Sequence, residues 1–260
     1  MSFLRIGGVL LHYRLAGPAA GPVIAFSNSL GTDLRIWDDV VARLGSRYRL
    51  LTYDKRGHGL SDSPPGEYSL EDHVDDLAGL FDRLGIAKAV ICGVSIGGLI
   101  ARGFASRHPE RTLALVLCDT ALKFGDATMW TTRIEAVRRG GMAAIADAVM
   151  ERWFSPEFIR DRPDDLAGWR NLFLRNDVEG YASTCATLRS AEAGEVKAPS
   201  LVVAGAEDRS TPVETVRDLA RAIPGARFEI VPGAGHIPSI EQPDKLAGLI
   251  ERFLEETGHG

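Results

Sequence analysis

Cysteine is scarce in this chain, and that scarcity closes off two kinds of chemistry. There are three, Cys92, Cys118 and Cys185, an odd number without metal-ligand spacing. A disulfide scaffold and a cysteine zinc site are therefore not expected. Cys92 and Cys118 fall inside apolar runs and read as buried thiols of a reducing cytoplasm. Positive charge is not in excess either. Thirty Lys and Arg against 35 Asp and Glu leave a net charge of −5, so there is no electrostatic footprint for nucleic acid. No apolar run approaches the roughly 18 residues of a membrane span, and no signal peptide is seen. Met1-Ser2-Phe3-Leu4-Arg5 leads straight into a strand. Repeats and low-complexity segments are missing too. What is present, 260 residues that are 45% hydrophobic and 25% charged, suits one large α/β domain or a core with an inserted subdomain.

The apolar runs alternate in kind. Leu10 to Leu15, Val23 to Phe26, Arg49 to Tyr53, Ala89 to Cys92, Leu113 to Cys118, Ser200 to Ala204 and Arg227 to Val231 read as strands. Between them, Leu34, Trp37, Val40, Val41 and Leu44 recur at helical spacing, with Gly45 to end the helix. Ser69 with Asp72 reads as a helix N-cap before the stripe Val74, Leu77, Ala78, Phe81 and Leu84, which Gly85 ends. Further helices are expected from Pro212 to Ile223 and from Pro243 onward. Such alternation means a mostly parallel, doubly wound sheet covered on both faces. The rhythm breaks over residues 123–195, which hold three of the four tryptophans and read as helices without strands. That stretch is expected to be a helical cap inserted after the sixth strand, over a core formed by residues 1–122 and 196–260.

Chemistry concentrates at Gly93-Val94-Ser95-Ile96-Gly97, between a strand and a helix. A serine on so abrupt a turn must take a strained backbone, and the flanking glycines remove side chains that would clash. The helix's first N–H groups then point, unpaired, above the hydroxyl, so Ser95 is the candidate nucleophile and Ile96 an oxyanion donor. A serine needs a base, and the base needs a group to fix its tautomer. His236, after the last strand in Pro232-Gly233-Ala234-Gly235-His236, is the best placed. The competitors lie elsewhere: His12 in an early strand, His58 in a glycine-rich loop, His73 and His108 on helix surfaces, His259 in the tail. Asp208 and Asp119 both end strands, and spacing alone excludes neither; Asp208 is favoured because it gives the order serine, acid, histidine. The second oxyanion donor is expected from Leu30, in the turn Ser27-Asn28-Ser29-Leu30-Gly31.

The whole chain resembles an α/β-hydrolase with a helical cap. Asn28-Ser29-Leu30-Gly31-Thr32-Asp33-Leu34 with Trp37, Tyr53-Asp54-Lys55-Arg56-Gly57-His58-Gly59-Leu60-Ser61, Arg152-Trp153-Phe154 and Glu179-Gly180-Tyr181 resemble the 3-oxoadipate enol-lactonases of aromatic catabolism. Most relatives in the superfamily carry His-Gly at the oxyanion turn, where Asn28-Ser29 stands here; Val94 and Ile96 flank the serine where Leu and Met are commoner. The resemblance implies a serine hydrolase of the cytoplasm that opens a carboxylated enol-lactone to 3-oxoadipate through an acyl-enzyme, without metal or organic cofactor. Its partner is then a small lactone or ester, with a homo-oligomer left open. The substrate's free carboxylate needs a cation, for which Arg133 is the first candidate and Lys123 and Arg152 its rivals; Trp130 and Trp153 are candidate pocket walls. Asp54 and Arg56 are expected to make structural hydrogen bonds. A general carboxylesterase, another lactonase, a carbon–carbon bond hydrolase and a perhydrolase side activity stay open on the same scaffold. A non-catalytic ligand receptor is the reading from another class.

Overall fold

A computed structural model describes residues 2–260; Met1, the first residue of the run read as leading into a strand, lies outside the described residues. Eight strands form one sheet: β1 (Ser2–Ile6), β2 (Val9–Ala16), β3 (Val23–Ser27), β4 (Arg49–Tyr53), β5 (Ala89–Val94), β6 (Thr112–Cys118), β7 (Ser200–Gly205) and β8 (Arg227–Val231). Their order is β1-β2-β4-β3-β5-β6-β7-β8. The pairings from β4 to β8 are parallel, whereas β2 runs antiparallel to both β1 and β4. All six residues of β5 and of β7 are buried. Because successive side chains alternate between faces, both sides of the sheet must be covered.

The core helices are α1 (Asp38–Leu44), α2 (Leu70–Leu84), α3 (Ile96–Arg107), α9 (Val213–Ala222), α10 (Pro238–Glu241) and α11 (Pro243–Glu256). Local chemistry sets their ends. Ser69 Oγ accepts the Asp72 N–H while Asp72 Oδ2 accepts that of Ser69, a reciprocal cap on α2. Gly85 closes α2 in the left-handed conformation at φ 64. The helix read across Leu34 to Leu44 divides into a short 3-10 turn, Leu34–Trp37, and α1, because the Asp33 carboxylate captures the Arg35 N–H and starts the turn early. His73, expected on a helix surface, is instead buried in α2 against Tyr68. Burial pushes its imidazole down to about 3, so it is neutral.

Between β6 and β7 the described chain forms helices only: α4 (Ala127–Gly140), α5 (Ala146–Trp153), α6 (Pro156–Asp161), α7 (Pro163–Leu174) and α8 (Val178–Ser190), with one 3-10 turn. Helix α8 is fastened to the core. Thr187 Oγ1 donates to Tyr68 O at 2.8 Å, Tyr68 N to Ser183 O at 3.2 Å, and Gly180 lies so close to Gly57 that a Cβ on either would strike the other's backbone.

Candidate active site

The parallel register aligns the carboxyl ends of five strands: Ser27 sits beside Gly93, Val94 beside Cys118, Cys118 beside Val203 and Gly205 beside Val231. β3 and β5 are neighbours from which the chain winds in opposite directions, and such a switch point leaves a crevice at the strand ends. The loops that follow these strands carry Asn28 to Gly31, Ser95, Asp119, Asp208 and His236.

Ser95 joins β5 to α3 at φ 58 and ψ −119. Only it and Asp119 are non-glycine residues at positive φ among those described, a conformation costing of order 1–3 kcal/mol. The close approach is what requires the glycines: a Cβ at Gly93 would strike the Gly97 carbonyl, and one at Gly97 the carbonyl of Ser27. Ser95 N donates to Cys118 O at 2.9 Å, and Thr120 Oγ1 donates to Ser95 O at 2.7 Å, fixing the turn from the next strand.

His236 and Asp208 meet as a buried pair, Nδ1 to Oδ2 at 2.8 Å. Asp208 is further supported by Thr211 Oγ1 at 2.6 Å and by the N–H groups of Ser210 and Thr211 at 2.6 and 3.2 Å. Burial alone would raise its pKa, but His236 and these donors outweigh it and hold the carboxylate below its ordinary value. An ionised Asp208 accepts Nδ1–H and leaves Nε2 as the free base. Ser95 and His236 line one cavity of about 270 Å³. No hydrogen bond joins them among the described residues, a contact that commonly tightens when substrate arrives.

The His236 loop is tied to the helices above it. His236 N donates to Trp153 O at 2.8 Å, while Glu241 accepts the N–H groups of Gly235 at 2.7 Å and Ser155 at 3.0 Å.

The turn after β3 is held on three sides. Asn28 Nδ2 donates to Thr32 O, Gly31 N donates to His58 Nε2 at 2.8 Å, and Asn176 Nδ2 donates to Gly31 O at 2.9 Å. Burial, helped by the nearby Lys55, keeps His58 well below its ordinary pKa, as an acceptor at Nε2 requires. The N–H groups of Leu30 and Ile96 make no hydrogen bond among the described residues, and Leu30 lines the cavity. They are donors without a ligand.

The cavity's other walls bring together Lys123, Arg133, Arg152, Trp130, Trp153 and Tyr181. Trp130 is anchored by Nε1–H to Phe124 O at 2.5 Å, and the Arg133 guanidinium lies 5.2 Å from its ring centre. Among the described residues none of the three cations is in an ion pair, although burial and the neighbouring Arg133 both push Arg152 down. Asp54 and Arg56 stand outside this cavity. Asp54 accepts Leu34 N, Leu60 N and His12 Nδ1, and Arg56 binds Asp76 and Asp72. Sequence reasoning missed Thr211, Glu241 and Lys55. The Asp208-Arg209-Ser210-Thr211 string could have announced the aspartate-capped turn; Glu241 and Lys55 carry no comparable signal. Among the described residues no cluster of His, Cys, Asp or Glu could hold a metal, and no helix is long and apolar enough to cross a membrane.

The pattern of the alpha/beta hydrolase family matches residues 10–249. The chain is 36% identical over 251 residues to 3-oxoadipate enol-lactonase 2 of Acinetobacter baylyi, covering 95% of this chain and 94% of that one. The crystal structure of the enol-lactonase from Burkholderia xenovorans superposes with a TM-score of 0.94 at 40% identity, over 98% of this chain and 100% of that one. A thermophilic esterase of Thermogutta terrifontis, solved with malate bound, gives a TM-score of 0.93 at 29% identity over 99% of each chain.

Proposed function

The chain belongs to the alpha/beta hydrolase family, and from that premise we propose that it is a serine hydrolase opening a carboxylated enol-lactone, 3-oxoadipate enol-lactone, to 3-oxoadipate. Residues 123–195 serve as its cap. Ser95 Oγ attacks the lactone carbonyl while His236 Nε2 takes the hydroxyl proton and Asp208 steadies the imidazolium. The N–H groups of Leu30 and Ile96 receive the tetrahedral oxyanion, each such donor being worth ~10²–10³ in rate. Collapse breaks the ring C–O bond; the leaving enol takes the proton from His236 and becomes a ketone, an easier departure than an alkoxide. Water, deprotonated by His236, then attacks the Ser95 ester and frees the acid.

The observation that carries the substrate assignment is the cavity wall. Lys123, Arg133 and Arg152 face the space before Ser95 without counter-ions among the described residues, and Arg133 and Arg152 are half-buried and close enough to repel each other. A carboxylate on the substrate relieves that repulsion and is itself expensive to bury without a cation. Similarity to enol-lactonases over nearly the whole chain supports the same substrate. The likeness to an esterase favours a second reading, a general carboxylesterase. Initial rates on 3-oxoadipate enol-lactone and on p-nitrophenyl acetate separate the two. A kcat/KM for the lactone at least ~10²-fold higher is expected; ester turnover with no lactone activity overturns the assignment.

A further inference from the structure

Lys55, in the loop after β4, is 1% exposed. Lysine is almost never buried without a carboxylate, because removing an ammonium from water costs several kcal/mol. Among the described residues Lys55 has no ion pair. Its Nζ donates to Ser29 O at 2.6 Å and to Asn28 O at 3.3 Å, both in the turn that presents Leu30. A methionine would fill the same space at lower desolvation cost, so packing does not account for the charge.

The Ser29 carbonyl and the Leu30 N–H belong to one peptide. It is trans and planar, so its oxygen and hydrogen point in opposite directions. Thr32 approaches the same oxygen, through Oγ1 at 2.9 Å and N at 3.3 Å, but only Lys55 brings a charge. We propose that Lys55 is a positioning residue of the oxyanion site: its ammonium holds the Ser29–Leu30 peptide from behind and polarises it, turning a strengthened Leu30 N–H toward the reacting oxygen. A charged donor on the carbonyl makes the amide hydrogen a better donor in its turn. The inference rests on the serine-hydrolase reading above.

Lys55 is also a group whose charge changes near neutrality. Burial pushes it down to about 7 against the opposing carboxylates of Asp54 and Asp33. The other titratable groups facing it, His58 of its own loop and His73 of α2, are held neutral by burial. The cationic form dominates below about 7 and is lost above it, so kcat should decline as pH rises through that value.

The test measures p-nitrophenyl acetate turnover, phenylboronic acid affinity and melting temperature for the wild type, Lys55→Met and Lys55→Gln. Phenylboronic acid on Ser95 mimics the tetrahedral intermediate. Lys55→Met should lower kcat about 10- to 100-fold with KM within about three-fold, and weaken the boronate in proportion. Lys55→Gln keeps an uncharged donor, should recover part of the loss, and should lack the decline in kcat between about pH 6 and 8. A folded Lys55→Met with kcat and boronate affinity within about two-fold of wild type overturns the proposal, as does a wild-type decline persisting in Lys55→Gln. Should Lys55→Met fail to fold, the Lys55→Gln profile decides. Ester turnover at wild-type rate by Ser95→Ala would overturn the hydrolase reading and this proposal with it. An inactive Ser95→Ala beside a fully active Lys55→Met overturns this proposal alone.

Discussion

Asp119 and Asp208 are both buried at the carboxyl ends of β6 and β7 and both bond Gly205, and burial disfavours charge on the two at once. Asp208 has His236, Thr211 and Ser210 to hold it ionised, whereas Asp119 receives the Gly205 N–H at 2.6 Å. Burial first, and then the Asp208 charge, keep Asp119 well above the usual carboxylate range. Asp208→Asn should therefore cost on the order of 10⁴ in kcat, as loss of the tautomer-fixing acid does. Asp119→Asn should leave kcat within about ten-fold. The folded chain keeps on Asp119 a proton that the unfolded chain releases above about pH 4, so this group's contribution to stability declines as pH rises beyond that value, by up to ~1.4 kcal/mol per unit. Asp119→Asn escapes that decline. Urea midpoints at pH 5 and 7 should show the variant gaining on wild type at the higher pH, and a difference between the two that stays constant or moves in favour of wild type refutes the protonated Asp119.

Ser95 sits at φ 58, where a Cβ is strained. Ser95→Ala keeps the strain and Ser95→Gly removes it, so the two inactive variants should differ in stability. Relief of ~1–3 kcal/mol against ~0.5–1 kcal/mol of extra glycine entropy leaves Ser95→Gly ahead by about 1 kcal/mol. Calorimetry should place its melting temperature roughly 2–4 °C above that of Ser95→Ala. Equal melting temperatures would mean that the elbow stores no strain.

The sequence made the sheet's strands legible because each apolar run is short and bounded by turn residues; Arg49–Tyr53 and Arg227–Val231 come out with the bounds read from the chain. Ser95, Asp208 and His236 were legible as candidates because each lies within a few residues of a strand's end and they come in the order serine, acid, histidine, which is what set Asp208 ahead of Asp119. The remainder depends on tertiary context. Lys55 in a glycine-rich loop looks like any solvated lysine until the turn after β3 is folded over it. His73 looks solvent-facing until Tyr68 covers it. Nothing periodic in α4 and α5 says that Arg133 and Arg152 turn toward the same cavity, since that depends on how those helices dock.

Those two arginines give a specificity test. Arg133→Met and Arg152→Met each remove a cation facing the cavity, and a charge-assisted bond to a substrate carboxylate is worth ~1.5–3 kcal/mol. For whichever arginine touches the carboxylate, kcat/KM for the enol-lactone should fall about 10- to 100-fold, chiefly through KM. Turnover of p-nitrophenyl acetate, which has no carboxylate, should stay within about three-fold. Equal losses on both substrates would assign the arginines to packing instead.

Glu241 fastens the His236 loop to the helices between β6 and β7 and predicts a coupled loss of stability and turnover. One carboxylate oxygen accepts Gly235 N and the other Ser155 N, so one side chain holds the residue before His236 and the N-cap of α6. Glu241→Ala leaves two largely buried N–H groups without partners, at ~1–3 kcal/mol each, and should lower the melting temperature by several degrees. The same change frees the His236 loop, so kcat should fall while KM for the lactone holds, because the cavity's cations are untouched. Glu241→Gln separates the two N–H groups: its amide oxygen can accept from one, but its NH₂ faces the other donor. About half of the alanine variant's destabilisation is therefore expected for glutamine. Full retention of stability in Glu241→Gln would show that only one of the two bonds is made in solution.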